Sequence, residues 1–116
     1  MENFEVARED RAGISILRLK GFLDAHTAPQ FEQAIQQLIS EARYRIIVSM
    51  ADLYYISSAG LGVFMGFIEE IREKEGDIKL SNMSDKVYKV FDLLGFPALY
   101  HIFKEEAEAE REYNEK

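Results

Sequence analysis

Hydrophobic and polar positions alternate with two different periods along this chain. Near the N-terminus the period is two: Phe4 and Val6 alternate with Asn3, Glu5 and Ala7, as in a half-buried strand. Arg8-Glu-Asp-Arg-Ala-Gly13 then reads as a polar turn ending in glycine. In Ile14-Ser-Ile-Leu-Arg-Leu19, positions 14 and 16 point one way and 17 and 19 the other, the mark of a strand covered at least partly on both faces. The short connection predicts a hairpin. Gly21 to Thr27 breaks the alternation, and Thr27 with Pro29 in the first turn predicts a helix start. Ala28, Phe31, Ala34, Ile35, Leu38 and Ile39 keep helical spacing to about Ala42.

Tyr44-Arg-Ile-Ile-Val-Ser-Met50 is rich in β-branched residues and predicts a central strand. Leu53, Tyr55 and Ile56 then carry the backbone up from the core into Ser57-Ser-Ala-Gly-Leu-Gly62, a loop ending at a helix N-terminus, where Ser57 or Ser58 can cap the first turn. Leu61, Phe64, Met65, Ile68 and Ile71 form the expected buried face of that helix. The opposite face carries Gly62, Gly66, Glu69, Glu70 and Glu73, so bare backbone stands where side chains would normally keep a visitor away. Beyond a turn at Lys74 to Asp77, Ile78-Lys-Leu80 predicts a strand. Ser84 is the expected cap of a helix with Val87, Val90, Phe91 and Leu94 on one face and Gly95 at its end. Phe96-Pro97 cannot continue that helix, and Leu99 to Phe103 reads as a last strand. The charged segment 104–116 reads as an acidic, loosely held helix or frayed tail of the same domain. Two strands followed by alternating helices and strands predict a single α/β domain, with a mixed sheet of about four or five strands and about four helices.

Composition narrows the chemistry. A chain of 116 residues, 47% of them hydrophobic, can bury one core unaided. The absence of cysteine excludes disulfides, thiolate chemistry and sulfur-ligated zinc. A net charge of −7 argues against nucleic acid as a direct partner, because phosphate backbones are held by clustered lysine and arginine. Met1 to Arg11 mixes acids, bases and isolated hydrophobes, unlike a secretory signal, and no apolar run approaches the ~20 residues of a membrane span. The expectation is a cytoplasmic protein with no membrane association. His26 and His101 stand far apart without ligand spacing, so neither a metal nor a cofactor is expected. Ser58, His26 and Asp24 include the residue types of a hydrolase triad, but a carboxylate and a histidine in one short loop are poorly placed for one to orient the other. The glycines at 60 and 62 lack the lysine and spacing of a phosphate-binding loop, and no enzyme is expected.

Asp52-Leu-Tyr-Tyr-Ile-Ser-Ser-Ala-Gly-Leu-Gly62 resembles the signature loop of STAS domains, specifically of bacterial anti-sigma factor antagonists (anti-anti-sigma factors). Gly21-Phe-Leu-Asp24, before the first helix, resembles the family's second signature, and the likeness covers essentially the whole chain, with residues 1–103 as the domain proper and 104–116 as its tail. The resemblance places a phosphoacceptor on Ser58 and partner contacts in the Asp24 loop beside it. The bare helix face makes Gly62 and Gly66 the expected docking surface, with Val63 and Asp24 at its margin and Ser57 and Gly60 of the signature loop adjoining; the alternative is that these glycines pack under a loop of the same chain. Two acidic positions of the family pattern are serines here, Ser57 beside the acceptor and Ser49 at the end of the preceding strand. The resemblance implies regulation of transcription by protein–protein interaction: the unmodified protein binds an anti-sigma factor that is also a serine kinase, the sigma factor is freed, and phosphorylation at Ser58 ends the binding. A serine phosphatase acting on Ser58 would reverse the modification. The alternative is a constitutive STAS subunit of an assembly or transporter in which Ser58 only caps a helix. In an account from structure alone, Asp24 is a turn residue that complements the dipole of the following helix.

Overall fold

In a computed structural model that describes residues 4–115, the period-two segments become the first two strands of a five-stranded sheet. Asn3, with which the expected strand alternation begins, lies outside the described residues, as does Lys116 at the end of the tail. β1 (Glu5–Arg11) and β2 (Ile14–Leu23) pair antiparallel. The polar turn is shorter than its composition predicts: only Ala12 and Gly13 connect the strands, both at positive φ (46° and 85°), as a tight hairpin turn requires. The charged residues assigned to that turn lie in β1 instead, paired across the surface, with Arg8 bridging Asp10 and Glu41 and Arg11 bridging Glu9 and Glu110.

The remaining strands, β3 (Arg45–Ile56), β4 (Asp77–Ser81) and β5 (Ile102–Phe103), each pair parallel to the one before. Spatial order therefore follows chain order, and crossovers of a single hand drop their helices on one face. That face holds α1 (Ala28–Ser40), α2 (Ser58–Glu73) and α3 (Asp85–Leu93), and between them and the sheet lies the main core. Ser84 caps α3, accepting from Val87 N at 3.1 Å.

β2 and β3 outrun the sheet. Pairing of β3 with β4 ends at Ser49↔Ser81, whereas β2 and β3 continue through register shifts to Leu23↔Ile56. The expected break at Gly21 is thus an irregularity within a strand: Gly21, at φ 101°, lets β2 change register and carry on. Loops at the end of this two-stranded arm hold both signature segments.

The expected strand from Leu99 to Phe103 shrinks to two residues. Phe96 and Tyr100 stack at 5.6 Å and fill the core, and Tyr100 N donates to Phe96 O, so the chain stays wound through Phe96–Ala98 and joins the sheet only at Ile102. The C-terminal segment is held more firmly than a frayed tail. It forms α4 (Glu106–Asn114), opened by a reciprocal cap between Glu105 and Glu108. Ala109 and Tyr113 bury against Ile14, Ile16 and Ile47 on the second face of the sheet. The Tyr113 hydroxyl accepts from Ile46 N at 3.1 Å and lies 2.8 and 2.6 Å from the carbonyls of Ile46 and Asp77.

Candidate functional site

The site begins where the arm ends. Leu23 and Ile56 are register partners, so the residues that follow them, Asp24 and Ser57, emerge side by side, and Ser57 N donates to Leu23 O at 2.9 Å. Asp24 builds its own turn: one carboxylate oxygen accepts from the backbone of His26 at 2.9 Å and of Thr27 at 3.2 Å. Thr27 closes the turn by accepting from Asp24 N and donating to Phe22 O. Gly60 seals the joint from the other side, where a Cβ would stand 2.7 Å from Leu23 Cγ. Gly60 is thus a packing residue between the two loops.

Ser57 occupies the N-cap position of α2, yet neither serine caps the helix through its side chain. Among the described residues the Ser57 hydroxyl oxygen is buried without a partner, while Ser58, the first helical residue, is exposed. Backbone N–H groups of the first turn have no acceptor within the helix, which leaves a positive helix end beside an accessible hydroxyl. Ser49 is buried on the opposite face of the sheet near Glu106, whose carboxyl is held below the usual range chiefly by Arg18 and secondarily by the Ser49 hydroxyl. An acid at position 49 would confront the Glu106 carboxylate, which a neutral serine does not.

The outward face of α2 carries Gly62 and Gly66 in the open. A Cβ at either would meet nothing within 4 Å, so the glycines do not sit beneath another segment of the chain. Val63 is buried at 6% exposure, and Met65 is 48% exposed. The buried arc is rotated relative to the periodicity reading because α1 covers α2 on the Val63 side, bringing Phe31 to 5.0 Å from Phe64. Between the N-terminal ends of α1 and α2 lies a groove of about 250 Å³, running from Ala25 and Ala28 to Ala59, Gly62 and Val63 and reaching Glu32.

Tyr55, where the chain leaves the core, is 43% exposed, and its ring lies 5.8 Å from that of Phe22. Phe22 and Tyr55 make an aromatic patch on the arm, where Tyr54 is also exposed. The patch and Glu32 both escaped the sequence reading. Three bulky aromatics flanking the signature segments signal the first, and a carboxylate one turn beyond Ala28 signals the second. His26 is exposed, and among the described residues its ring bonds to neither Asp24 nor Ser58. His101 does meet a carboxylate, Glu112 of α4 at 2.6 Å, a contact across sequence that spacing could not reveal. Among the described residues no group of three or more acids and histidines is placed to hold a metal, and no helix is long and apolar enough to cross a membrane.

Comparison with known proteins agrees with the fold. The sequence model of the STAS domain family matches residues 5–109. An anti-sigma F factor antagonist of Paenibacillus polymyxa is 31% identical over 111 residues, 92% of either chain. The anti-sigma factor antagonist SpoIIAA in its unphosphorylated form superposes with a TM-score of 0.82 at 27% identity over 98% of both chains. The phosphorylated form of Bacillus SpoIIAA superposes with a TM-score of 0.73 at 26% identity, over 96% of this chain and 99% of that one.

Proposed function

Because the chain belongs to the STAS domain family, we propose that it acts as its relatives are named, as an anti-sigma factor antagonist in the bacterial cytoplasm, with Ser58 as its switch. Unmodified, it docks on an anti-sigma factor that is also a serine kinase and so frees the sigma factor; phosphorylated on Ser58, it lets go, and a serine phosphatase resets it. The observation that carries this reading is the difference between the two serines. Ser58 is exposed at the positive end of α2, whereas the neighbouring hydroxyl is buried. An enzyme reaching this loop meets one accessible acceptor. Gly62 and Gly66 continue the same surface, with Asp24, Ser57, Gly60 and Val63 shaping its edge and floor.

A phosphate on Ser58 adds about −1.5 to −2 charges beside free N–H groups and the helix dipole, so the modified domain stays folded. The switch therefore acts at the interface. A hydrated dianion at the rim of a close contact, on a surface already carrying Glu69, Glu70 and Glu73, brings bulk, desolvation cost and a changed field. A loss of about 3 kcal/mol lowers affinity more than a hundredfold, enough to release the partner.

Incubation with the cognate anti-sigma factor and ATP, followed by fragmentation mass spectrometry, should place the label on Ser58. Ser58→Ala should bind persistently and take up no phosphate, and Ser58→Asp should fold normally and bind weakly. Label on Ser57, or undiminished labelling of Ser58→Ala, would overturn the assignment. Binding that ignores both substitutions would favour the constitutive subunit.

A further inference from the structure

The groove between α1 and α2 carries one charge, and that charge lacks a counterpart. Ala25, Ala28, Ala59, Gly62 and Val63 give it small, largely apolar walls, and Glu32 is its only ionisable lining residue. Among the described residues Glu32 is exposed, forms no ion pair and accepts no side-chain hydrogen bond, as is also true of Glu69, Glu70 and Glu73 on α2; what sets it apart is its place on the groove wall, where no cation faces it. Ala59 adjoins the exposed Ser58 and Ala25 adjoins the Asp24 turn, so the groove opens within the proposed docking surface.

We propose that this groove receives one arginine side chain of the anti-sigma factor, its aliphatic stem along Ala28, Ala59 and Val63 and its guanidinium on the Glu32 carboxylate. The inference rests on the antagonist reading and adds the chemistry by which the partner is chosen. Apolar walls match the methylene stem of a long basic residue, which keeps its charged end at the polar rim. A carboxylate there favours guanidinium over ammonium, because the planar fork can donate two parallel hydrogen bonds to it. Complementary charge selects the partner: an anti-sigma factor with an acid or a short side chain at the matching position leaves Glu32 unpaired against an apolar wall.

The experiment measures binding of the purified cognate anti-sigma factor to the parent chain, Glu32→Gln, Glu32→Arg and Gly62→Leu. Asp92→Asn on α3 controls for the change in net charge, and circular dichroism checks that each variant folds. Glu32→Gln should bind about tenfold more weakly and lose much of the parent's salt dependence. Glu32→Arg should lose on the order of a hundredfold, and Gly62→Leu, which fills the groove, should lose a comparable amount without a change in salt dependence. Asp92→Asn should bind as the parent does. If the parent binds and Glu32→Arg stays within about twofold of it, the groove assignment fails while the antagonist reading stands. If the parent does not bind its cognate anti-sigma factor, the antagonist reading fails and takes the groove assignment with it.

Discussion

At the scale of single residues, environment separates groups that composition makes equal. Ser57 and Ser58 carry the same hydroxyl, but one is closed off beneath the turn and the other faces solvent. The seven glycines divide in the same way. Gly60 is required by packing, whereas Gly62 and Gly66 stand in an exposed helical face where a methyl group would touch nothing. A glycine in a helix interior costs about 0.5 to 1 kcal/mol relative to alanine, so the fold alone gives no reason for either. Gly62→Ala and Gly66→Ala should each raise the denaturant midpoint by an amount worth up to about 1 kcal/mol, while Gly60→Ala should lower it. A loss of stability in the first two would mean that α2 has a neighbour on that face. Gly66→Arg should likewise fold and weaken the complex in a pull-down. These roles were only half legible in the sequence. Spacing put Gly62 and Gly66 outward, but nothing in it distinguished Gly60, whose constraint comes from Leu23, far away along the chain.

Among the elements, α2 does two tasks with two faces. Its inner face is built around Phe64, whose ring meets Phe31 of α1, Phe91 of α3 and Tyr100 at 5.0, 5.7 and 6.1 Å. Removing that ring leaves a cavity bounded by three other elements, which cannot all close on it. Phe64→Ala should therefore cost about 3 to 5 kcal/mol in a denaturant titration, a large share of a small domain's ~5 to 15 kcal/mol. A change below about 1 kcal/mol would show that the helix is not held through this face. Helical period identified Leu61, Phe64, Ile68 and Ile71 correctly because those positions point at the sheet. Met65 and Val63 were exchanged because a period gives the direction of a face and not its width, and the width depends on where α1 lies. Strand ends failed for a related reason. β2 runs through Gly21 because β3 is long enough to pair with it, and β5 is short because Phe96 and Tyr100 are worth more in the core than in extended chain. Both are decisions of tertiary contact.

At the scale of the whole molecule, charge holds the second layer in place. α4 covers one face of the sheet with few apolar residues, and its acids reach basic groups on three strands: Glu106 to Arg18, Glu110 to Arg11 and Glu112 to Lys79. Lys79 is the most enclosed of these cations, at 2% exposure, with its ammonium 2.8 Å from Glu112, 3.4 Å from Asp77 and 4.7 Å from the centre of the Tyr113 ring. Lys79 first, and His101 second, hold the Glu112 carboxyl down at about 2, against an ordinary value of 4.5. A carboxyl whose folded value lies below its unfolded one binds more protons when unfolded, so its contribution is complete above about 4.5 and is lost as pH falls toward about 2. Glu41 and Glu106, held down by Arg8 and Arg18, follow the same sign, so acid should loosen several contacts together. Comparison with Glu112→Gln isolates one of them. At about pH 6 the variant should be less stable than the parent, because among the described residues it leaves the enclosed ammonium with Asp77 as its one charged partner. As pH falls, the parent's Glu112 becomes protonated as well, and the gap should close toward zero near pH 2. Paired denaturant titrations across that range check it, with amide exchange in α4 showing whether the helix is what loosens. A gap that stays constant down to the lowest pH would mean that the charge of the Glu112 carboxylate contributes nothing to holding α4.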